Sequence, residues 1–179
     1  MKTIFRVFAM LALPFFAVFA SAGSKTLDKT TVSKLDLKRY MGKWYEIARF
    51  DHRFERGLIG NTAEYKLLSN GTVQVINQGY KGNFKGKPEI AEGKAKLPDP
   101  SEPGKLKVSF FLWFYGEYNV LELDAVNYSY ALIGSSSDKY LWILSRTPQL
   151  PEITKKLLLE KAEKRGYDTS KLIWVKQKQ

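Results

Sequence analysis

Very few side chains in this sequence are of the types that catalysis or metal binding requires. Its 179 residues include no cysteine and a single histidine, His52. This composition excludes thiol nucleophiles, zinc–thiolate and iron–sulfur sites, disulfides and multi-histidine metal sites. Strand alternation places one acid, Glu46, on an interior face, and a single carboxyl group is not the pair that glycoside hydrolysis needs. The sequence predicts a protein that is not an enzyme and holds no cofactor or metal.

The chemistry that the sequence does support is the capture of an apolar molecule. Alternate positions along the predicted strands are apolar or aromatic, and these positions form one face of a sheet. Four of them, Tyr65, Asn77, Tyr118 and Tyr130, carry polar groups that can orient a ligand head. The predicted ligand-contacting residues are Ala48, Phe50, Ala63, Tyr65, Val75, Asn77, Val108, Phe110, Tyr118, Val120, Tyr130 and Trp142. The same alternation turns Leu132 inward and Arg49 outward.

Positive charge and aromatic side chains collect in the loops expected at one end of this sheet. The connections at 51–60, 81–88, 112–116 and 135–139 hold six basic residues against the acids Asp51, Glu55 and Asp138. We therefore predict a positive rim that attracts anionic amphiphiles or lipid headgroups. A solvated rim without a partner is the alternative. The predicted rim residues are Arg53, Arg56, Lys81, Lys85, Lys87, Trp113, Phe114 and Tyr115.

The elements that position these residues are short strands separated by turn signals. Eight strands are predicted at 43–51, 61–68, 72–80, 89–97, 105–111, 117–123, 128–134 and 140–146. Asn70-Gly71 is a hairpin signal, because such turns require positive φ at both central residues. A helix is predicted over 151–165, followed by a short ninth strand at 171–176. The fold class is all-β: an eight-stranded antiparallel up-and-down barrel with one C-terminal helix packed outside it.

Two sequence segments resemble the lipocalin family, in particular its bacterial and apolipoprotein D-like members. Residues 44–57 read WYEIARFDHRFERG and follow Gly42, and residues 140–148 read YLWILSRTP. The second lipocalin motif departs from the family pattern, since Leu123-Asp124-Ala125 replaces threonine-aspartate-tyrosine. The resemblance implies a cup with one closed end, where Gly42, Trp44 and Arg146 form the closure and the arginine packs over the indole ring. A guanidinium in that position stabilises by about 0.5–2 kcal/mol.

The chain divides into an export signal and one domain. Lys2 and Arg6 precede an apolar run that ends at small residues, which predicts a signal peptide over 1–22 and a lipocalin domain over 23–179. We expect a soluble periplasmic or secreted protein, not one anchored through a lipidated cysteine. The formal net charge is +11, but the basic residues are spread along the chain, which disfavours nucleic acid as a partner.

The resemblance and the inward apolar set together predict a carrier or store for a small lipophilic ligand. Fatty acids and lysophospholipids are the expected ligand classes, and lipid maintenance in the cell envelope is the expected role. The expected partners are that ligand and, transiently, an anionic membrane surface, with the protein a monomer or weak homodimer. The alternatives are a protein- or membrane-interaction module without a dedicated ligand and, less favoured, an enzyme with this fold.

Overall fold

Strands of five to ten residues follow one another from Gly42 to Ser145 with only short connections between them. The computed structural model describes residues 26–178, so the predicted signal peptide lies outside the described residues. The strands are β1 Gly42–Phe50, β2 Leu58–Leu67, β3 Val73–Lys81, β4 Glu89–Lys96, β5 Lys105–Phe111, β6 Phe114–Leu123, β7 Tyr130–Gly134, β8 Leu141–Ser145 and β9 Leu172–Trp174. The helices are α1 Leu37–Tyr40 and α2 Glu152–Lys164, and a 3-10 turn spans Thr169–Lys171.

The sheet closes on itself because β1 pairs with strands on both sides. Neighbours in sequence pair from β2 to β8, and β1 then bridges β8 to β2 in antiparallel register. β9 extends the sheet from the upper part of β1, where Ala48 lies opposite Trp174. The predicted eight-stranded antiparallel barrel with an outside helix and a short ninth strand is therefore confirmed.

Turn chemistry and bulges set the strand ends. Gly71 has φ +80°, which a side chain at this position would oppose, and it closes the β2–β3 hairpin as predicted. β6 begins at Phe114, three residues earlier than predicted, because the β5–β6 connection contains only Leu112 and Trp113. Leu112 takes φ +50° in this tight turn. Within residues 26–178, neither helix is long and apolar enough to cross a bilayer.

Two apolar clusters lie on opposite sides of the barrel wall. The inner cluster fills the lower barrel and includes Trp44, Val73, Val120 and Ile133. The outer cluster lies between the wall and α2, where Leu158 and Ala162 of the helix are fully buried. The β7 and β8 strands therefore carry an apolar layer on both faces.

Candidate functional site

A cavity of about 120 Å³ lies inside the barrel. Most of its wall is apolar, and its polar groups are concentrated in a tyrosine cluster at one end and a carboxyl cluster at the other. A cavity of about 150 Å³ in another protein holds one benzene ring, so this one accommodates a comparably small apolar segment. The lining residues are Tyr40, Met41, Glu46, Glu55, Thr62, Ala63, Tyr65, Val73, Val75, Asn77, Ala95, Leu106, Val108, Phe110, Tyr118, Ile133, Trp142 and Leu144.

Eight of the twelve predicted ligand-contacting residues line this cavity. They are Ala63, Tyr65, Val75, Asn77, Val108, Phe110, Tyr118 and Trp142. Val120 is fully buried in the inner cluster but does not reach the cavity wall. Ala48, Phe50 and Tyr130 pack in or against the outer cluster, beyond the wall. The predicted inward orientation of these three residues is therefore corrected.

A β-bulge in β1 reverses the alternation that placed Ala48 and Phe50 inside. The register against β8 shifts between Glu46 and Ala48, so one extra residue is accommodated. Beyond the bulge, Ala48 and Phe50 face the outer cluster, and Arg49 turns inward with only 2% of its surface exposed. Arg49 was predicted to face outward. The only sequence signal that the pair is buried was the spacing of Glu46 and Arg49, three residues apart in an apolar segment.

β7 was assigned the wrong inward face for a different reason. Tyr130 and Leu132 pack on the outer cluster, whereas Ala131 and Ile133 belong to the inner one. Because β7 is covered by the barrel interior on one side and the α2 layer on the other, both faces are apolar. Alternation of hydrophobicity therefore carries no information about direction in this strand.

The upper cavity holds a buried ionic cluster that sequence reasoning found only in part. Arg49 Nη1 donates to Glu46 Oε1 at 2.6 Å, and Arg49 Nη2 donates to the backbone oxygens of Glu55 and Leu58 at 2.6 and 3.2 Å. Trp142 Nε1 donates to Glu55 Oε2 at 3.2 Å, and His52 Nε2 lies 2.8 Å from the same oxygen. Glu55, expected on the rim, thus turns into the cavity as a second carboxyl group.

The two carboxyl groups have pKa values displaced in opposite directions. Burial raises the pKa of Glu46 well above its usual range, and the nearby Glu55 carboxylate raises it further, against the lowering effect of Arg49. Burial also raises the pKa of Glu55, but the hydrogen bond and charge of His52 and the Trp142 hydrogen bond outweigh it and lower the pKa. As pH falls, Glu46 therefore takes up a proton before Glu55 does.

At the other end of the cavity, three tyrosine hydroxyls are hydrogen-bonded to one another. The hydroxyl of Tyr118 lies 2.6 Å from that of Tyr40 and 3.1 Å from that of Tyr65. Burial raises the pKa of Tyr65 to about 12, so the hydroxyl stays neutral at ordinary pH. Tyr40 comes from α1, and together with Met41 it forms the cavity floor.

Below this floor lies the Trp44–Arg146 pair that the resemblance implies. The Arg146 guanidinium is 3.8 Å from the centre of the Trp44 indole, which is fully buried. Arg146 also donates to the backbone oxygens of Lys43, Arg39, Tyr40 and Tyr128. Gly42 has φ +87°, and a Cβ there would lie 3.5 Å from Arg146 Nη1. A side chain at position 42 is therefore disfavoured mainly by the positive φ angle and not by lack of space.

The predicted rim residues lie in or beside connections at the opposite end of the strands from α1. Arg53, Lys81, Lys85 and Lys87 are exposed, and among the described residues none of them has a carboxylate partner within 4 Å. Arg56 is paired with Asp51 at 2.9 Å. Trp113 is 73% exposed and Phe114 66% exposed. Tyr115 lies against the ammonium groups of two lysines on the outer wall, and β6 rather than a loop carries it.

This barrel with its internal cavity and closed floor matches known proteins along almost its whole length. The sequence model of the lipocalin-like domain matches residues 35–177. The chain belongs to the lipocalin family. It is 47% identical to the outer membrane lipoprotein Blc of Escherichia coli over 163 residues, covering 91% of each chain. It is 35% identical to mouse apolipoprotein D, covering 76% of this chain and 74% of that protein.

A solved structure extends the comparison to the backbone. Insecticyanin from the tobacco hornworm Manduca sexta superposes with a TM-score of 0.68 at 26% identity, covering 85% of this lipocalin and 86% of insecticyanin. The Blc relatives are named as lipoproteins, whereas the 179 residues of this lipocalin contain no cysteine to carry a thiol-linked lipid.

Proposed function

We propose that this lipocalin binds a single-chain lipophilic molecule in its barrel and carries or stores it in the cell envelope. Fatty acids and lysophospholipids both present one unbranched tail and are the candidate classes. The observation that supports the proposal best is the cavity inside the barrel, whose wall between its two polar ends is made of residues such as Val73, Val75, Leu106 and Val108. Membership of the lipocalin family supports the same function.

The size of the cavity limits how much of a tail it encloses. Six methylenes gain roughly 5 kcal/mol on burial, and association costs about 4–15 kcal/mol, so an enclosed short segment gives weak affinity alone. Phe110 lines the cavity and is also 44% exposed, so the wall is continuous with the outside surface. We infer that a longer tail continues from the cavity along the aromatic residues of the mouth.

Anionic membrane contact is the second part of the proposal. Phe111, Leu112, Trp113 and Phe114 are all more than half exposed at the β5–β6 turn. Lysines without a carboxylate partner among residues 26–178 lie on the β3–β4 side of the same end. Apolar side chains rimmed by basic residues suit a negatively charged lipid surface. Contact there would let a lipid pass between the bilayer and the cavity. This arrangement equally motivates the alternative of a membrane-interaction module without a dedicated ligand.

A pair of neighbouring substitutions tests the cavity. Ala63 lines it, and Glu64 is exposed on the outer side of the same strand. Ala63→Phe should fill the cavity and lower the affinity for a fluorescent fatty acid at least about tenfold, because overfilled interiors do not accept further groups. Glu64→Phe should bind like the parent protein. Quenching of tryptophan fluorescence reports the binding, since Trp142 faces the cavity.

Equal binding by both variants would place the ligand outside the barrel and contradict the proposal. Solvent extraction of the purified protein, followed by mass spectrometry, identifies the ligand directly. Recovery of a single-chain lipid from the parent, but not from Ala63→Phe, is the expected result. Recovery of lipid from neither protein, with no probe binding, would favour an interaction module.

A further inference from the structure

The tyrosine cluster at the cavity floor has one hydroxyl proton more than its own hydrogen bonds use. Tyr40, Tyr65 and Tyr118 carry one hydroxyl proton each. Within residues 26–178 their hydroxyls make two hydrogen bonds, from Tyr118 to Tyr40 and from Tyr118 to Tyr65 in either direction. Whichever way these bonds are directed, one of the three protons has no acceptor. Because all three rings line the cavity, a ligand atom that meets this proton satisfies it only by accepting a hydrogen bond.

A permanent positive charge lies below the same floor. The Arg146 guanidinium donates to backbone oxygens and has no carboxylate within 4 Å among the described residues. Burial raises the pKa of Tyr40 and of Tyr65, and the charge of Arg146 is among the effects that lower it, so its field reaches both hydroxyls. The floor therefore combines a free O–H donor with a positive field, which together favour an oxygen that carries negative charge.

The upper part of the cavity also offers donors, but it offers them beside acidic side chains. The Thr62 hydroxyl and the Asn77 amide both line the cavity and can donate to a ligand. Both acids of the lining, Glu46 and Glu55, belong to the upper end. A carboxyl group bound there would lie close to two other carboxyl groups, whereas the tyrosine floor holds none of the acids that line the cavity. The two ends therefore differ in what they offer to an acidic head.

The apolar residues indicate where the tail of such a ligand runs. Val75, Leu106 and Val108 form the wall between the two ends, and Phe110 continues it to the outside surface. A tail that starts at the floor follows this wall and reaches the exposed aromatic residues of the β5–β6 turn. The reverse orientation would place a methyl group against the hydroxyl proton that has no acceptor, which is costly in a buried site.

We propose that the ligand of this lipocalin lies head down, with an oxygen of a carboxyl head bound to the Tyr40–Tyr65–Tyr118 hydroxyls and the tail directed to the mouth. The inference rests on the proposed function, since it assumes that a single-chain lipid occupies the barrel. It also selects fatty acids over lysophospholipids. A glycerophosphoryl head has more non-hydrogen atoms than benzene, which fills a cavity of about 150 Å³, so it exceeds the 120 Å³ available here.

A floor variant without hydroxyls tests the head site. Tyr40→Phe, Tyr65→Phe and Tyr118→Phe together remove the three hydroxyls and keep the rings. Octanoate should bind this variant at least about tenfold more weakly than the parent, because its head loses a donor in a buried site. Oct-1-ene has the same chain length but no acceptor head, and its affinity should not fall. Competition with a fluorescent lipophile measures both ligands.

The chain offers a matched control of three other tyrosines. Tyr45, Tyr115 and Tyr130 lie on the outer side of the barrel wall. Their joint replacement with phenylalanine should leave the binding of octanoate and oct-1-ene as in the parent. In the parent protein, octanoyl lysophosphatidylcholine should bind at least about tenfold more weakly than octanoate, since its tail is the same and only the larger head differs.

A second measurement needs no change in the floor. Octanoate labelled with carbon-13 at C2 or at C8 is bound to the parent, and isotope-filtered NOE spectra identify the protein protons near each carbon. The C2 protons, next to the carboxyl group, should contact the rings of Tyr65 and Tyr118, and the C8 methyl should contact Phe110 or Trp142. The reverse pattern would overturn the inferred orientation, even if the floor variant failed to fold.

The outcomes separate this inference from the function on which it rests. Equal octanoate affinity in the floor variant and the parent, or equal weakening of octanoate and oct-1-ene, would overturn the head site and leave lipophile binding standing. Loss of octanoate binding on Asn77→Leu but not in the floor variant would move the head to the upper cavity, and equally tight lysophosphatidylcholine binding would overturn the selection of fatty acids. Failure of octanoate and oct-1-ene to bind the parent would overturn the proposed function and the inference with it.

Discussion

The two ends of the barrel are built from similar residue types used in opposite ways. At the closed end, Trp44 is fully buried under the Arg146 guanidinium, which satisfies four backbone oxygens of neighbouring segments. At the other end, Trp113 is 73% exposed and Lys81, Lys85 and Lys87 have no carboxylate partner among the described residues. An aromatic residue packed under a cation stabilises the fold at one end, whereas exposed aromatic and basic residues at the other end are available to a partner.

Residue type alone therefore does not reveal a binding surface. Burial and satisfied hydrogen bonds identify the closed end as structural, because a guanidinium that ties four carbonyl groups cannot leave without exposing them. Exposed aromatic side chains with unpaired charges contribute little to folding, so their presence requires another explanation. Between the ends, the cavity joins a tyrosine floor to an acidic upper part.

The strongest test of the comparison removes an aromatic residue from each end. Trp44→Ala should lower the free energy of unfolding by about 3–5 kcal/mol, because it leaves a large cavity beneath the guanidinium. Arg146→Ala should also destabilise, since the carbonyl groups of Arg39 and Lys43 lose their donor. Trp113→Ala should change stability by less than about 0.5 kcal/mol. Urea unfolding followed by circular dichroism measures all three.

The opposite result would be that Trp44→Ala and Arg146→Ala both unfold at the urea concentration of the parent and lose only ligand binding. In that case the closure pair would belong to the binding site and not to the scaffold. A large destabilisation by Trp113→Ala would equally show that the exposed turn is structural.

The barrel was predictable from sequence because turn residues separate its strands and each strand has a local pattern of apolar residues. Asn70-Gly71 and the Gly42-x-Trp44 segment gave the β2–β3 hairpin and the first strand, and the structure has both. The direction of side chains was predictable only where one face is polar. In β2, Tyr65 lies inside the barrel and Glu64 outside it, which are the faces predicted for these residues.

The site was less predictable because its key residues depend on non-local packing. A bulge shifts the β1 register by one residue, and no residue type in the segment around Ile47 announces it. Glu55 enters the cavity because Arg49, itself reversed by the bulge, binds the Glu55 backbone oxygen. The local sequence predicts that a carboxylate in such a charged loop faces water. The carboxyl pair therefore required the folded structure to be recognised.

The second prediction contrasts the two carboxyl groups within the cavity. Glu55→Gln should lower the free energy of unfolding at pH 7 by about 1–3 kcal/mol, because it removes the negative charge that faces Arg49 and His52 and weakens the acceptor of Trp142 Nε1. Glu46→Gln should cost less than Glu55→Gln at the same pH, because burial raises the pKa of Glu46 and so disfavours its ionised form. Chemical unfolding from pH 4 to 8 measures both, with Glu64→Gln as the exposed control.

The pH dependence of the two variants should have opposite signs. The lowered pKa of Glu55 contributes stability above its unfolded value of about 4.5, which is lost as pH falls, so the Glu55→Gln deficit shrinks toward acid pH. The raised pKa of Glu46 makes the parent lose stability as pH rises above about 4.5, so Glu46→Gln gains relative to the parent toward high pH. Parallel pH profiles for the two variants would contradict this assignment.

The third prediction concerns the exposed end and has the smallest effect on folding. Replacing Lys81, Lys85 and Lys87 with glutamine should change stability by less than about 0.5 kcal/mol, because these side chains are exposed and form no ion pair with the rest of the described chain. Binding to vesicles with anionic lipid should weaken strongly, since each basic residue near such a surface contributes about 1 kcal/mol. Vesicle co-sedimentation at several salt concentrations measures the loss.

A matched change of charge elsewhere separates the rim from the net charge of the chain. Lys66, Lys107 and Lys156 are exposed away from the predicted rim residues, and their replacement with glutamine lowers the net charge by the same amount. If the rim carries the contact, this control binds anionic vesicles like the parent, and binding by the parent falls steeply with added salt. Equal loss in both triple variants would mean that attraction is a property of overall charge. The basic residues would then not distinguish the open end of the barrel as an interaction surface. Only the exposed aromatic residues around Trp113 would still do so.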